Sequence, residues 1–386
     1  MFISDTHLPQ LLKAEMYHDA AWYTQELESV LLPSWYLVAT TRDFPRNGSY
    51  RTFDLLGRPV ILRREGEEIR GFLNVCSHRN SKLVAKDRGC SLALKCGYHG
   101  WEYDGVTGDT RKIPDAPSFR PLKKGGLGLQ AVQVSVCGGL VFVSLGAEDK
   151  PFGGILEAKG EFSSLAERNL PRGSLGTLDV VCAVNWKAAI ENTLESYHVA
   201  EVHPHTFKSA PQEEDCRHQM FAEGSTFGTS DATPWFLRQL QMHALRQAKL
   251  PILGTYRHVL LYPSFTVAET DSFAIFLSFL PEGPQQTRTR IFWFAPQSAE
   301  GSRFRNAMVR LAARCESKFW LRVVREDFGV LPMVQQGIAS PEHPSTGLIS
   351  RREERIPSFQ KWILQQMGEN PQPAAESTPS ESVCNT

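Results

Sequence analysis

Two short segments, each with one cysteine and one histidine, constrain this sequence more than any other feature. Cys76-Ser-His78 and Cys96-Gly-Tyr-His99 are separated by 17 residues, and each lies at a strand end or turn in a β-rich stretch. Segments this short hold a thiol and an imidazole close together. Two kinds of centre use two cysteines and two histidines: a tetrahedral zinc site, and a two-iron, two-sulfur cluster with both histidines on one iron.

The order of the ligands distinguishes these alternatives. Zinc fingers usually keep like ligands together, as C-x(2–4)-C and H-x(3–5)-H. Here each loop carries one of each, as expected where every loop must reach both irons. The C-x-H…C-x-x-H pattern resembles that of Rieske ferredoxins and oxygenases. Respiratory Rieske proteins have a further cysteine in each loop, where this chain has Ser81 and Tyr98, so the resemblance implies the oxygenase and ferredoxin type of cluster.

The surrounding sequence predicts a small antiparallel β domain over residues 35–150. Short runs such as SYRTFDLL and RPVILRRE are joined by glycine-containing turns, and AVQVSVCGGLVFVSL has the pattern of a hairpin. Residues 10–32 have apolar positions at helical spacing, so residues 1–34 are predicted to form one or two helices that pack on the second half of the chain. Cys90 and Cys137 are interpreted as ordinary thiols.

The rest of the chain predicts a second, α+β domain over residues 151–368. After a mixed connector at 151–175, a strand (TLDVVCAVN) leads into a helix (WKAAIENTLESYHVAEV), and three β-type runs follow at HVLLYPSFTVAET, SFAIFLSFLP and TRTRIFWFAP. A long helix is predicted at about 300–336, and a sheet with packed helices is an α+β unit. Residues 205–255 show no clear pattern. The proline- and serine-rich tail, 369–386, is predicted to be disordered.

A second metal-binding pattern lies in LESYHVAEVHPH. His198 and His203 are five residues apart, and five residues of an ideal helix turn about 500°, which leaves their rings about 140° apart. The segment must therefore be distorted if both residues bind one metal. The pattern resembles E-N-x-x-(D/E)-x-Y-H-x(4)-H-P, the mononuclear iron motif of Rieske oxygenases. The motif is matched here by Glu191, Asn192, Glu195, Tyr197, His198, His203 and Pro204.

The resemblance implies a third iron ligand from an acidic pair on a late helix. In VVREDFGVLPMVQ we assign Asp327, with Glu326 as the alternative, because adjacent helical residues diverge by about 100° and only one can face the iron. His205 is placed outside the ligand set. Two histidines and one carboxylate leave three positions of Fe(II) open for O2 and substrate.

Glu195 has a role that the resemblance alone implies. In the resembling enzymes an acidic residue at this position joins a cluster histidine of a neighbouring subunit to an iron histidine. The path here would run from His99 through Glu195 to His198 across a subunit interface, and a homotrimer is expected. Most members have aspartate at this position. Glutamate also occurs in the branch that acts on choline, carnitine and glycine betaine.

Together the motifs resemble the catalytic alpha subunit of a Rieske-type non-haem iron oxygenase, a superfamily of aromatic-ring-hydroxylating dioxygenases and choline- and carnitine-type monooxygenases. The resemblance implies a Rieske [2Fe-2S] domain followed by a helix-grip, START-like domain with mononuclear Fe(II), in which Asn192, Glu195 and Tyr197 are catalytic. A separate flavin and iron–sulfur reductase would supply electrons from NADH or NADPH, since no strand is followed by G-x-G-x-x-G. The alternatives are a Rieske electron carrier without oxygenase activity and a zinc-binding scaffold.

The substrate is constrained less than the cofactors. The implied reaction uses O2 to hydroxylate, dihydroxylate or oxidatively demethylate a small organic molecule, an aromatic acid or a quaternary amine. Aromatic side chains of the second half could cage a cation or stack on a ring, and ordinary core packing explains them equally well. They are Trp235, Phe236, Tyr256, Tyr262, Phe265, Phe276, Trp293 and Phe294. Arg257 and His258 are candidates for binding a substrate carboxylate.

Charge and hydropathy give no indication of a nucleic-acid or membrane partner, although the charge balance leaves a local basic patch possible. Basic and acidic residues number 42 each, so no overall positive field indicates nucleic acid or an anionic membrane. No apolar run approaches the roughly 18 residues of a membrane helix, and charges interrupt the N-terminal segment where a signal peptide would be apolar. We therefore expect a cytoplasmic protein.

Overall fold

The computed structural model describes residues 2–123, 125–146, 175–207, 210–298, 302–342 and 347–369. These residues form two seven-stranded antiparallel sheets, one in each half of the chain. The predicted connector at 151–175 and the predicted disordered tail at 369–386 lie outside the described residues, apart from one residue each.

The N-terminal half is built from short strands. They include β1 (Leu8–Pro9), β2 (Trp35–Thr40), β3 (Ser49–Leu55), β4 (Arg58–Glu65), β5 (Glu68–Leu73), β6 (Arg88–Cys90), β7 (Leu94–Lys95), β8 (Glu102–Tyr103), β9 (Thr110–Lys112), β10 (Ala131–Cys137) and β11 (Leu140–Ser144). One sheet has the order β2-β11-β10-β5-β4-β3-β6, and a smaller one has the order β7-β8-β9. The predicted β10–β11 hairpin is present. Its turn residues Gly138 and Gly139 both have positive φ, 58° and 88°, which suits a two-residue hairpin turn.

The C-terminal half holds the larger sheet. Its strands are β12 (Gly176–Cys182), β13 (Arg217–Phe221), β14 (Gly224–Ser230), β15 (Thr255–Leu261), β16 (Phe265–Glu269), β17 (Ala274–Gly283) and β18 (Gln286–Phe294), and β19 (Leu348–Ile349) pairs with β1. The order is β12-β18-β17-β16-β15-β14-β13. The run HVLLYPSFTVAET, predicted as one strand, is two: Leu261 pairs with Phe265 across a turn at Pro263, a residue that cannot donate to a central ladder.

The helices are α1 (Ala20–Glu26), α2 (Trp186–Glu191), α3 (Val199–Val202), α4 (Trp235–Gln247), α5 (Arg303–Ile338) and α6 (Arg355–Gln366), and a π-helical turn at Leu27–Leu31 continues α1. The prediction of one helix from Trp186 to Val202 was wrong. Thr193 Oγ1 donates to the Ile190 carbonyl, and Glu195 accepts the backbone N–H of His198, so side chains replace helical hydrogen bonds between α2 and α3. Residues 205–255, which showed no pattern, contain β13, β14 and α4.

The two sheets share a core. Alternate residues of β11 face different sides, and Phe142 packs edge to face on Phe265 of β16, with ring centroids 5.5 Å apart. The Nη1 of Arg290 donates to the Val38 carbonyl over 3.0 Å, a further contact between the sheets. The N-terminal helices join the second half through a fully buried ion pair, in which Glu26 lies 2.5 Å from Nζ of Lys187 at the start of α2.

Candidate metal centres and substrate cavity

The two cysteine–histidine loops have the same backbone fold. In each, the N–H four residues after the cysteine donates to the cysteine carbonyl, over 2.9 Å for Cys76 and 3.1 Å for Cys96. The cysteine N–H in turn donates to the carbonyl five residues on, over 2.8 Å in both loops. Asn80 and Gly100, at equivalent positions, have positive φ of 54° and 75°. Two equivalent tight turns thus present one cysteine and one histidine each.

Cys76 and Cys96 belong to one buried cluster, and the two histidines of these loops are adjacent. Both thiols are free and buried, with Cys76 and Cys96 each 2% exposed. The rings of His78 and His99 are adjacent, with centroids 4.6 Å apart, and His78 stacks on Trp101 at 4.9 Å. His99 is exposed to solvent while the cysteines are not. Buried thiols on one side and paired imidazoles at the surface fit a cluster with two cysteines on the inner iron and two histidines on the outer iron.

Tyr103 adds a polar contact that the sequence patterns did not indicate. Its hydroxyl lies 3.0 Å from Sγ of Cys76 and accepts the backbone N–H of Ser77 over 3.2 Å. Burial, and then the hydrogen bond to Cys76, raise the pKa of Tyr103 to about 12. The phenol therefore stays protonated near neutral pH, and it would donate to the sulfur when Cys76 is a metal-bound thiolate, which has no proton of its own.

The second group of predicted metal ligands comes from two elements: His198 and His203 lie at the ends of α3, and Asp327 lies on helix α5. His198 occupies the N-cap position of α3 and His203 its C-cap position, where φ −116° and ψ 41° depart from helical values, so the predicted distortion is present. Nε2 of His198 lies 3.4 Å, and Nε2 of His203 3.1 Å, from Oδ1 of Asp327. One ligand atom from each of the three residues lies within 4.8 Å of the others.

These distances fit a metal ion. Ligand atoms about 2.1 Å from one ion and at right angles to each other are about 3 Å apart. The buried Oδ1 of Asp327 has no well-formed hydrogen bond to any described residue, although two imidazole nitrogens are close to it. This arrangement is expected when the lone pairs of the two Nε2 atoms and of Oδ1 all point at one position, where a metal ion would lie, and none of these atoms donates a proton to another.

A carboxylate lies against the Nδ1 atom of each of these histidines. Glu195 hydrogen-bonds Nδ1 of His198, and Oε2 of Glu326 lies 2.8 Å from Nδ1 of His203. The structure thus places Asp327 on the Nε2 side of both rings and Glu326 on the outer side of one. Such outer carboxylates fix the ring orientation and the tautomer of metal-binding histidines.

A cavity of about 150 Å³ opens next to His198, His203 and Asp327. One wall is the second sheet, where Phe227, His258, Ala268 and Ile275 form a row across β14, β15, β16 and β17. The other wall is α5, from which Trp320, Val323 and Val324 face the cavity. Tyr256 stacks on Trp320 with centroids 5.4 Å apart and closes one side.

The charged side chains around this cavity are carboxylates. Glu195, Asp231 and Asp327 line it, and no lysine or arginine does so among the described residues. Asp231 is held by Thr233, whose N–H and Oγ1 both donate to Oδ1, over 2.9 and 2.6 Å. Asp231 was not singled out in the sequence, because an isolated aspartate in a loop carries no pattern.

Of the other residues singled out from the sequence, some line the cavity and others do not. Asn192 lines the cavity, but Tyr197 is 63% exposed and is not among the lining residues. His205 is exposed and outside the metal group. Among the aromatic candidates only Tyr256 lines the cavity. Trp235 and Phe236 are exposed, and Tyr262, Phe265, Phe276, Trp293 and Phe294 are buried in the core. The aromatic side chains that line the cavity with Tyr256 are Phe207, Phe227 and Trp320.

Comparison with known families agrees with this geometry. Residues 34–130 match the Rieske [2Fe-2S] domain, and residues 168–369, more than half of the chain, match the ring hydroxylating alpha subunit (catalytic domain). The chain therefore belongs to the Rieske non-haem iron oxygenases, as a ring-hydroxylating alpha subunit. It is an oxidoreductase that carries a Rieske [2Fe-2S] cluster and a mononuclear iron, and the predicted family and α+β fold are confirmed.

Individual relatives differ in substrate. The chain is 25% identical to the glycine betaine monooxygenase oxygenase subunit of Chromohalobacter salexigens over 331 residues, 77% of this chain and 72% of that one. It is 25% identical to the chloroplastic choline monooxygenase of Spinacia oleracea, over 94% of this chain and 78% of that one. It is 30% identical to the 2-aminobenzenesulfonate 2,3-dioxygenase alpha subunit of an Alcaligenes species, with about half of each chain aligned.

Solved structures show the same fold. The quaternary ammonium Rieske monooxygenase CntA superposes with a TM-score of 0.73 at 17% identity, over 94% of this chain and 95% of that one. Naphthalene 1,2-dioxygenase with bound indole superposes with a TM-score of 0.69 at 18% identity, over 92% and 93%. No helix among the described residues has the length and apolarity that crossing a membrane requires.

Proposed function

We propose that this chain is the oxygenase component of a system that oxidises a small quaternary amine with O2, using electrons from a separate NADH- or NADPH-dependent reductase. In this proposal the cluster is held by Cys76, His78, Cys96 and His99, and the iron by His198, His203 and Asp327. When bound, the cluster supplies single electrons and the iron activates O2 at its open positions. Residues 1–34 would pack on a catalytic domain of residues 151–368, with the Rieske domain at 35–150.

The observation that carries the substrate class is the charge of the cavity. Three carboxylates and four aromatic side chains line it, without a lysine or arginine among the described lining residues. Aromatic faces attract a quaternary ammonium group through the ring quadrupole. Asp231, the lining carboxylate that is not assigned to the iron or its histidines, adds a favourable Coulomb interaction with a cation. A cavity of about 150 Å³ also matches a ligand of about the size of benzene.

The relatives support the same class. A glycine betaine monooxygenase and a choline monooxygenase align with most of the chain, and CntA has been crystallised with L-carnitine and with gamma-butyrobetaine. The dioxygenase relatives align over about half of it.

Glu195 would connect the two metal centres. One carboxylate oxygen binds Nδ1 of His198, and the other accepts backbone N–H groups of Tyr197 and His198, so the side chain is held firmly against the iron ligand. A carboxylate has about four acceptor sites, which leaves room for a histidine of another subunit. The exposed His99 is suited to provide it within a homotrimer, and inter-subunit electron transfer is described for CntA. Asn192, at the cavity wall, would contact substrate or O2, whereas the exposed Tyr197 would act at the subunit interface.

Spectroscopy on anaerobic protein tests the metal assignments. We expect three irons and two sulfides per chain and a rhombic EPR signal after reduction with dithionite. His203→Ala should lose one iron and keep the signal, and the matched control His205→Ala, at an exposed position, should keep all three. Two irons in the wild type, unchanged in His203→Ala, would leave an electron carrier. A colourless zinc protein would reject both assignments.

Oxygen uptake tests the substrate class. With a reductase and NADH, we expect O2 consumption to rise with choline, glycine betaine or carnitine, and an oxidised or demethylated product to form in equal amount. Stimulation by benzoate or another aromatic acid, with none by the quaternary amines, would refute this part of the proposal.

A further inference from the structure

Arg355, the first residue of α6, carries a buried positive charge. Its side chain is 0% exposed. The guanidinium donates to Oγ and the carbonyl of Ser225, over 3.0 and 3.2 Å, and to Nδ1 of His258 over 3.0 Å. No carboxylate of the described residues lies within 4.0 Å of it. Burying a charge is costly unless an opposite charge or strong hydrogen bonds compensate it, so this arrangement favours an anion nearby.

His258 lies between Arg355 and the cavity. It lines the cavity from β15, opposite the small side chain of Ala268. A guanidinium can only donate, so Nδ1 of His258 must be the acceptor, and the ring proton is on Nε2. Burial, and then the charge of Arg355, hold the pKa of His258 well below its usual range. The ring is therefore a neutral imidazole, and its Nε2–H, on the side away from Arg355, has no hydrogen-bond partner among the residues that the structure describes.

The cavity wall therefore has two polar regions, one with a carboxylate and one with a hydrogen-bond donor. Asp231, just past the end of β14, brings negative charge, whereas His258 lies opposite Phe227 in the middle of that strand. His258 offers a donor with a buried positive charge behind it. A molecule with a cation at one end and an anion at the other fits both features.

We infer that His258, oriented by Arg355, binds a carboxylate of the substrate through its Nε2–H, with the charge of Arg355 compensating that of the carboxylate. This inference rests on the proposed function and narrows it. The preferred substrate is a quaternary ammonium that also carries a carboxylate, rather than an alcohol or a plain tetraalkylammonium ion. His258 then determines specificity, and Arg355 is a positioning residue.

Equilibrium binding to the iron-loaded, oxidised protein tests this role without turnover. Isothermal titration would compare glycine betaine, which has a carboxylate, with tetramethylammonium, which has none. The loss of a hydrogen bond to a charged group predicts that His258→Phe raises the Kd of glycine betaine at least about tenfold, with tetramethylammonium unchanged within about twofold. His258→Gln keeps both an acceptor for Arg355 and a donor for the ligand, so it should restore most of the affinity.

Arg257→Gln is the matched control. Arg257 immediately precedes His258 on β15 and is not among the residues that line this cavity. Its Nη1 lies 3.9 Å from Oε1 of Glu269. This variant should bind both ligands like the wild type.

Three results would overturn the inference. The first is equal weakening of both ligands by His258→Phe, which would indicate general damage to the cavity. The second is no change for glycine betaine. The third is a wild-type protein that binds carboxylates no better than carboxylate-free analogues.

Benzoate and toluene provide a second pair without an ammonium group. If no quaternary amine binds but benzoate exceeds toluene and depends on His258, the proposed substrate class fails while the carboxylate subsite stands.

Discussion

Removal of the Tyr103 hydroxyl should lower the reduction potential of the cluster. The phenol oxygen lies 3.0 Å from Sγ of Cys76, and the raised pKa keeps its proton in place. Reduction adds negative charge that spreads onto the cysteine sulfurs, so a donor at this position stabilises the reduced state more than the oxidised one. Hydrogen bonds to the sulfurs are among the features that set the potentials of iron–sulfur clusters. Tyr103→Phe removes the donor and keeps the ring that packs in the domain core.

The size of the effect follows from the strength of one hydrogen bond. A hydrogen bond to a charged group contributes about 1.5–3 kcal/mol, and part of that is common to both oxidation states. A difference of about 1 kcal/mol between the states corresponds to roughly 40 mV for a one-electron couple. We therefore expect Tyr103→Phe to have a potential roughly 40 mV below that of the wild type.

A redox titration followed by EPR measures this shift directly. Tyr36→Phe is the control, because its buried hydroxyl donates to the Leu31 carbonyl instead of to a sulfur, over 2.9 Å. The control should keep the wild-type potential. A Tyr103→Phe protein with full cluster content and a potential within about 10 mV of the wild type would refute the reasoning, as would a shift to higher potential.

Three further changes have defined outcomes. Glu326→Gln weakens the support of His203 and should lower iron affinity about 10- to 100-fold in competition with a chelator, with the cluster intact; unchanged affinity would contradict the role. Burial raises the pKa of Glu316 to about 7, so this carboxyl adds stability below about pH 4.5 that is lost as pH rises through 7. In urea melts Glu316→Gln should remove this pH-dependent loss of roughly 3 kcal/mol in the free energy of unfolding, and the same pH dependence as the wild type would contradict it. Glu26→Ala leaves Lys187 buried and unpaired and should lower the free energy of unfolding by about 3–5 kcal/mol; a loss below about 1 kcal/mol would exclude a strong pair.

The proposed metal-binding residues could be selected from the sequence because the evidence for them is local. Each cysteine–histidine pair fits within one tight turn, so its spacing indicates its geometry. If His198 and His203 bind one metal, helix geometry demands a distortion between them, and the backbone of His203, with φ −116° and ψ 41°, leaves the helix at the end of α3. Helix geometry allowed only one of Glu326 and Asp327 to face the iron, and the family resemblance selected Asp327. The structure places the two carboxylates on different sides of His203.

The cavity could not be predicted, because its residues come from distant parts of the chain. Phe227, Ala268 and Ile275 become neighbours only through strand register, and each is unremarkable in its own segment. The same is true of Arg355, which reaches His258 over 97 residues of sequence. The aromatic-rich runs at 258–294 belong to the hydrophobic core. Most of their rings pack there and do not line the cavity.

Helix α5 carries both an aromatic wall of the cavity and one of the proposed iron ligands. Trp320 and Asp327 are seven residues apart, which is two turns and about 10.5 Å along the axis, so both face the cavity. Glu316, one turn before Trp320, accepts its Nε1–H over 3.2 Å and fixes the indole. On the other side of Asp327, Pro332 frees the Phe328 carbonyl from the helical ladder, and the Cys182 thiol of β12 is its partner at 3.7 Å. Because one helix carries both the aromatic wall and the proposed carboxylate ligand, the helical rise sets the distance between Trp320 and Asp327 along the cavity. Ala268 and His258 lie on the opposite side of the cavity, on the sheet.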